Sequence, residues 1–532
     1  MRFLKGLHES PRAVLFLIWV LVTVININKA FHIDDTFHLE VAQWIQNNPM
    51  QPMSGRVNWE NTSQPIYYFN QPPLYFYFIA AAGSAFGYSE VPLHLFQSLF
   101  SLLSIIYFYK LLCLFHRNFA LLGTSFLALG PAFIVNQNLM VDVPVLSVSI
   151  IFIYLLIKYD EVHLKRDIYF AALILSIGLL FKYSLLPLFP ILVYSVWQKK
   201  RLDLTPAILV PLLFLMAWTT LNYLEFGSSH MGGRHRNEIS SKLLFDNSIA
   251  FLLTLGAVVP FSIVFIQSWF KARRRQAIVV SCFCLLIVVS AYVHVYGFQI
   301  RSFPHTIFWL AFLANGLVLI VLSFVGALEA LLLPKARIVA LWGISMAVFI
   351  TLYAPFMATR HILLILPPLI ILCGYLLDHA SRATATISLI LTCFLGLTLG
   401  VSDWLYADFY RRASKDALVS VPQGKKVWAV GHWGWQWYSK QENMHFYEYK
   451  ISNLEAGDFL ISPEVYPKQQ IPNDIELAKV ASIVYSPSIW NALTTAHFAR
   501  FYNSYSTKLP WYLSNAPVDS VTVYKVVRTS CR

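Results

Sequence analysis

Apolar runs long enough to cross a bilayer follow one another along most of the chain, separated by short polar gaps. A spanning helix needs roughly 20 apolar residues, and that window finds about thirteen candidate spans within residues 1–402. The first, PRAVLFLIWVLVTVINI, has a basic start (Arg2, Lys5, Arg12), but NINKAF beyond it offers no small-x-small cleavage site, so it reads as an uncleaved anchor. Two stretches break the alternation of spans and turns. A long loop over about residues 32–90 contains WENTSQPIYYFNQPPLYFYFIAAAGSAFG, whose aromatic, proline-punctuated pattern predicts a helix lying at the membrane interface. From residue 403 to 532 the chain turns more polar, and KKVWAVG, GDFLISP, AKVASIVYS and DSVTVYKVV read as short strands between helix-like segments. The prediction is a polytopic α-helical membrane domain followed by a small α/β domain outside the membrane.

Composition supports this reading: 57% of residues are hydrophobic and 13% charged, where soluble domains carry about 25% charged residues. A net charge of +13 would fit nucleic acid, yet no basic cluster is interleaved with exposed aromatics. Instead the cations fall in alternate gaps. Arg117, then Lys158, Lys165 and Arg166, then Lys199, Lys200 and Arg201, then KARRR at 271–275, then Lys335 and Arg337, then Arg382 mark one side. The other side holds Lys29, Arg56, Lys182, Arg234, Arg236, Lys242, Arg301 and Arg360. The positive-inside rule places the N-terminus in the cytoplasm and the C-terminus outside, in a multi-pass protein of the plasma (inner) membrane. The cysteines lie within apolar segments or at the chain end, with neither zinc nor disulfide spacing.

The chemistry-bearing residues lie on the predicted outer face. FHIDDTFHLEV puts Asp34 and Asp35 where the first span ends, before a helix that either could cap. Asp142, in NLMVDVPV, stands among apolar neighbours, where an ionisable group is costly to keep. These carboxylates could work as a pair, or share a divalent cation through Asp35, Asp142 and His38, with Glu40 nearby. Lys182 in LLFKYS, Arg360 and His361 in TRHILLILPP, and His230, Arg234, His235 and Arg236 in HMGGRHR supply cations suited to an anionic lipid phosphate. Single lysines and arginines at helix ends more often snorkel to headgroups, so it is their shared face that points to a site. In the tail, Trp433, Trp435, Trp437 and Tyr438 fit interfacial anchoring or core packing better than sugar stacking.

The ordered set FHIDDTFHLEVAQWI, FNQPPLYFYFIAAAGSAFG, MVDVPV, LLFKYS and TRHILLILPP resembles the GT-C superfamily of membrane glycosyltransferases. It is most similar to the family 39 type, which includes protein O-mannosyltransferases and the aminoarabinose transferase of lipid A. The resemblance spans roughly residues 10–400. It implies transfer of a sugar from a polyprenyl-phosphate donor to an acceptor hydroxyl on the outer face, by an inverting displacement with an aspartate base. Asp34, Asp35 and Asp142 take the positions of the family's acidic residues, and Lys182 and Arg360 those of its phosphate-facing cations. Gln71 and Tyr75 occupy the first-loop substrate segment, where aminoarabinose transferases carry a lysine before the proline; Gln71 removes that charge. The acceptor could be protein, lipid or polysaccharide, and a divalent metal ion could assist. Intramembrane acids and lysines would also suit a secondary transporter or lipid flippase, but those usually show internal repeats and midplane charges, which this chain lacks.

Overall fold

In the computed structural model, which describes residues 10–69, 71–233, 240–354, 356–496 and 501–529, seven helices are long and apolar enough to cross a membrane. They are Glu90–Cys113, Asp142–Val162, Leu202–Phe226, Arg274–Tyr296, Phe303–Glu329, Pro334–Leu352 and Arg382–Leu418. An eighth span is the pair Ser241–Ala257 and Ser262–Ala272 if its 94° bend is counted as one crossing. This is a multi-pass membrane protein, but with fewer full-length spans than the thirteen that the hydropathy window suggests. Prolines and tight turns cut the other apolar runs short. The Ala120–Ala128 helix stops before Pro131, and Lys165–Phe181 gives way to a 3-10 turn, Tyr183–Leu188, that contains Pro187. The first run folds as Pro11–Asn26, 16 residues, which at about 1.5 Å per residue is shorter than a hydrocarbon core of about 30 Å.

The bundle packs closely where side chains are smallest. Gly256 and Gly316 let the Ser241–Ala257 and Phe303–Glu329 helices meet backbone to backbone, because a Cβ at either would collide with carbonyls of the other helix. Outward-facing Phe283, Leu285, Leu286, Phe324 and Phe394 remain exposed, as lipid-facing positions do. The ends of the bundle differ in charge chemistry. At one end the basic gaps meet acids and carbonyls: Lys335 with Glu161 and the Leu114 carbonyl, Lys199 with Asp160, Lys158 with Asp167. At the other end lie the 32–90 loop and the tail.

The loop carries the short helices Asp35–Asn47 and Leu74–Phe86 and a hairpin of β1 (Arg56–Asn58) with β2 (Ser63–Pro65). The tail begins inside a helix: Arg382–Leu418 runs without interruption through position 402, and Tyr406, Phe409, Tyr410, Ala413 and Ala417 on its last turns are buried in the core of the domain beyond. That domain holds β3 (Val427–Ala429), β4 (His445–Phe446), β5 (Phe459–Pro463), β6 (Glu476–Ile483) and β9 (Val521–Arg528) in a mixed sheet of order β4-β3-β5-β9-β6. β3 is parallel to β4 and β5, while β9 is antiparallel to β5 and β6. β7 (Leu493–Thr494) pairs separately with β8 (Tyr512–Leu513). Between them the chain returns to the membrane helices: Thr359 donates to the Phe501 carbonyl, Ser504 to Met357, Trp309 to Ser506 and Trp511 to Ala257. Residues 501–511 thus form a strap across the helix ends.

Candidate active site

Four charged side chains from four separate parts of the sequence meet at the end of the bundle that carries the loop and the tail. Arg360 lies between two carboxylates, with Nη2 at 2.9 Å from Asp34 Oδ2 and Nε at 3.8 Å from Asp142 Oδ2. Lys182 closes the set by donating to Asp142 Oδ1 at 2.7 Å. Arg360 also points Nη1 at the Met140 sulfur, 3.1 Å away. The side chains of Asp142 and Arg360 are buried, whereas Asp34 is 28% exposed and Lys182 19%. Asp34 Oδ1 has no protein hydrogen bond among the described residues, so one oxygen of this carboxylate faces the open side of the cluster.

Local structure explains why each group is presented this way. Lys182 follows directly on the Lys165–Phe181 helix, and its extended backbone (φ −160°, ψ 134°) swings it out of the helical path before the 3-10 turn. Asp142 opens its helix, and Arg360 lies in the single turn Thr359–Ile362, anchored by two bonds from Thr359 to the Phe501 carbonyl. The aspartate pair follows Ile33, a buried β-branched residue held at φ 52°. Such a conformation costs on the order of 1–3 kcal/mol and persists only where the surroundings impose it. Here they do. Phe31 N–H donates to Tyr438 OH at 2.7 Å, Thr36 Oγ1 donates to the Trp433 carbonyl at 2.7 Å, and the Trp437 ring stands edge-on to Phe31. Gly434 allows this approach, since a Cβ there would strike the Phe31 carbonyl. The tail aromatics are therefore packed: Trp435, Trp437 and Tyr438 are buried, and Trp437 and Tyr438 hold the aspartate loop at Phe31.

Neither aspartate caps the helix. Asp34 has a helical backbone (φ −73°, ψ −5°) rather than the extended one that capping side chains use, and its carboxylate turns to Arg360. Asp35 is fully buried, and its Oδ2 accepts from the upstream His32 N–H at 2.9 Å. Burial raises the Asp35 carboxyl to about 8, against the opposing His32 hydrogen bond, so it is mostly protonated at neutral pH. The two neighbours thus differ: Asp35 is a sealed acid, Asp34 an accessible carboxylate paired with a guanidinium.

Asp35, Asp142 and His38 do not gather as metal ligands; among the described residues no group of three or more His, Cys, Asp or Glu side chains converges as a metal cage. Asp142 is instead taken by Lys182 and Arg360, and His38 Nδ1 lies 2.7 Å from the Asp34 carbonyl. Burial pushes the His38 and His32 imidazoles down, His32 to about 3, and raises the Glu40 carboxyl, which accepts from Gln436 Nε2. Tyr75 is buried, with its hydroxyl on Gln97 Oε1 and 3.1 Å from the Leu139 carbonyl, where it braces the segment that leads to Asp142. Gln71 is half-buried, and its Oε1 has no partner among the described residues. Arg234, His235 and Arg236 lie outside the described residues; His230 of the same motif holds the Phe69 carbonyl and the Tyr183 hydroxyl beside Lys182.

A second polar cluster beside the site was not anticipated from the sequence. Lys29 pairs with Asp403, and both are fully buried. Lys29 also donates to the Val135 carbonyl and Asn138 Oδ1, while Asp403 accepts from Thr495 Oγ1 at 2.9 Å and Tyr502 OH at 2.7 Å. His32 completes it, 4.0 Å from Asp403 through Nε2 and 2.8 Å from Tyr466 OH through Nδ1. The one sequence signal is weak: Asp403, in GVSDWLY, is an acid where an apolar run gives way to the polar tail.

Residues 70–223 match the model of the dolichyl-phosphate-mannose-protein mannosyltransferase family, a stretch that includes Asp142 and Lys182. No curated protein matches the chain. Among solved structures, ArnT from Cupriavidus metallidurans bound to undecaprenyl phosphate is 12% identical, with 86% of this chain and 93% of that one covered and a TM-score of 0.49. The archaeal oligosaccharyltransferase AglB from Archaeoglobus fulgidus, in complex with an inhibitory peptide and a dolichol-phosphate, is 10% identical, with 85% and 70% covered and a TM-score of 0.47. Over residues 70–223 the chain is thus similar to dolichyl-phosphate-mannose-protein mannosyltransferases.

Proposed function

We propose that this protein is a membrane glycosyltransferase that moves a sugar from a polyprenyl-phosphate carrier to an acceptor hydroxyl on the extracytoplasmic face. The observation that carries the reading is the convergence of Asp34, Asp142, Lys182 and Arg360 at one end of the bundle. The family match over residues 70–223 supports the same chemistry. The end opposite the basic gaps is the extracytoplasmic one by the positive-inside rule.

Asp34 is the base. Its accessible oxygen takes the acceptor proton while the acceptor oxygen bonds to the anomeric carbon, and the carbon–phosphate-oxygen bond breaks on the far side, inverting that centre. Arg360 and Lys182 receive the departing lipid phosphate, exchanging part of their hold on the carboxylates for the new anion. Asp142 keeps the two cations aimed before the donor arrives, and a protonated Asp35 holds the loop backbone through His32. Incubating the purified protein with a polyprenyl-phosphate sugar and extracted envelope material tests this. Sugar-dependent release of lipid phosphate is expected; uptake of a solute into sealed vesicles without sugar transfer would overturn it in favour of transport.

A further inference from the structure

The strap 501–511 also walls a recess. It lies between the turn after Arg274–Tyr296, the start of Phe303–Glu329 and the strap, with a volume of about 420 Å³. Tyr296, Arg301, Ser302, His305, Lys508 and Tyr512 line it. Tyr296 OH donates to the Thr507 carbonyl at 3.1 Å, which ties the strap to the helix end.

Its charge sets it apart. Lys182, Arg360, Lys29 and Arg411 each meet a carboxylate. Among the described residues none lies within ion-pair distance of Arg301 or Lys508, and no acid lines the recess. Arg301 instead lies over the Tyr296 ring, 5.4 Å from its centre. The recess also meets the first turn of a 27-residue helix, where Ser302 makes no capping bond and its hydroxyl sits 3.3 Å from Tyr512 OH. Three large apolar side chains flank it, Phe298, Ile300 and Phe303, at 92%, 79% and 75% exposure. Such residues at the end of two spanning helices belong among acyl chains. An occupant must therefore be anionic at its head and apolar beyond it.

We propose that this recess is a headgroup site for an anionic phospholipid, with Arg301 and Lys508 on the phosphodiester and Phe298, Ile300 and Phe303 among the acyl chains. A volume of about 420 Å³ accommodates a phosphoglycerol headgroup. The occupant braces the same strap that backs Arg360 through Phe501 and Thr359. This inference does not depend on the proposed transfer reaction.

Native mass spectrometry of the full chain with phosphatidylglycerol and phosphatidylcholine of matched acyl chains tests it. The wild type is expected to retain phosphatidylglycerol in preference, and Arg301→Gln and Lys508→Gln each to weaken that binding about fivefold. Arg301→Lys with Lys508→Arg keeps the charges and should keep the lipid. Equal retention of both lipids by the wild type overturns the proposal, as does unchanged phosphatidylglycerol binding in the double glutamine variant. So does loss in the charge-keeping variant, which would mark a packing role. Displacement of the lipid by millimolar inorganic phosphate would identify a soluble phosphate site and overturn the lipid assignment.

Discussion

Lys182–Asp142 and Lys29–Asp403 are both lysine–aspartate pairs between elements distant in sequence, yet their surroundings differ at every point. Lys182 is 19% exposed and shares its aspartate with Arg360, which leans on the accessible Asp34. Lys29 and Asp403 are fully buried and ringed by Asn138, Thr495 and Tyr502, so the spare donors and acceptors are met by protein groups. An ion pair of the first kind can trade partners when an anion arrives, because Lys182 and the neighbouring Asp34 are partly exposed. One of the second kind cannot, since opening it would strand charges in a medium of low polarity. The first pair is suited to a substrate, the second to fixing the tail against the helices beside His32.

The largest expected effect breaks the open side. Asp34→Asn keeps the shape of the side chain but removes the proton acceptor, and should lower transfer by about 10²- to 10⁴-fold, while Asp35→Asn stays within about tenfold. Released lipid phosphate per unit of folded protein measures both. Equal loss in the two variants would remove the distinction between an accessible base and a sealed acid.

Next comes the sealed pair. Asp403→Asn leaves the Lys29 ammonium buried without its counter-charge and should destabilise the fold by about 3–5 kcal/mol, read as a lower unfolding midpoint in detergent. Lys29→Met with Asp403→Leu together should recover much of that loss. Asp142→Asn, at the open pair, should cost less stability but more transfer. If the stability costs were reversed, the two pairs would have been assigned the wrong way round.

The sequence revealed these regions unequally, for physical reasons. Asp142, Lys182 and Arg360 stand out because each interrupts an apolar run. Lys29 follows the polar NIN and Asp403 stands where the chain turns polar, so each resembles an ordinary boundary residue, although contacts with Asn138 and Tyr502 bury them. Which aspartate is sealed was likewise hidden, since it depends on the left-handed turn at Ile33 and on packing by residues some four hundred positions away. The breaks inside the apolar runs were hidden too, because hydropathy averages over Pro131 and Pro187, where the backbone turns.

The third prediction concerns pH. Asp35 is raised from an ordinary 3.8 to about 8, so the folded state holds a proton that the unfolded chain releases. Its contribution to stability is therefore complete below about pH 4 and is lost as pH rises toward 8. Unfolding midpoints across that range should fall less steeply in Asp35→Asn than in the wild type. Parallel slopes would mean that Asp35 is ionised in the folded protein. Smaller again is Lys182→Gln, which should raise the KM for the lipid-linked donor by about tenfold with a lesser change in kcat, as loss of a phosphate contact does.

The smallest expected effect on transfer sharpens the comparison most finely. Tyr502 OH donates to Asp403 Oδ2 at 2.7 Å and accepts from Asn138 Nδ2 at 3.0 Å, so it joins the strap to both partners of Lys29. Tyr502→Phe keeps the ring and removes only these bonds, at a cost of about 1.5–3 kcal/mol for a buried hydrogen bond to a charged group. Transfer per folded molecule should hardly change, because Asp34, Arg360 and Lys182 keep their contacts. A lower unfolding midpoint with intact transfer places Tyr502 with the lock. A loss of transfer larger than the loss of stability would show instead that the sealed network sets the geometry of the open one, through His32 and the turn at Ile33.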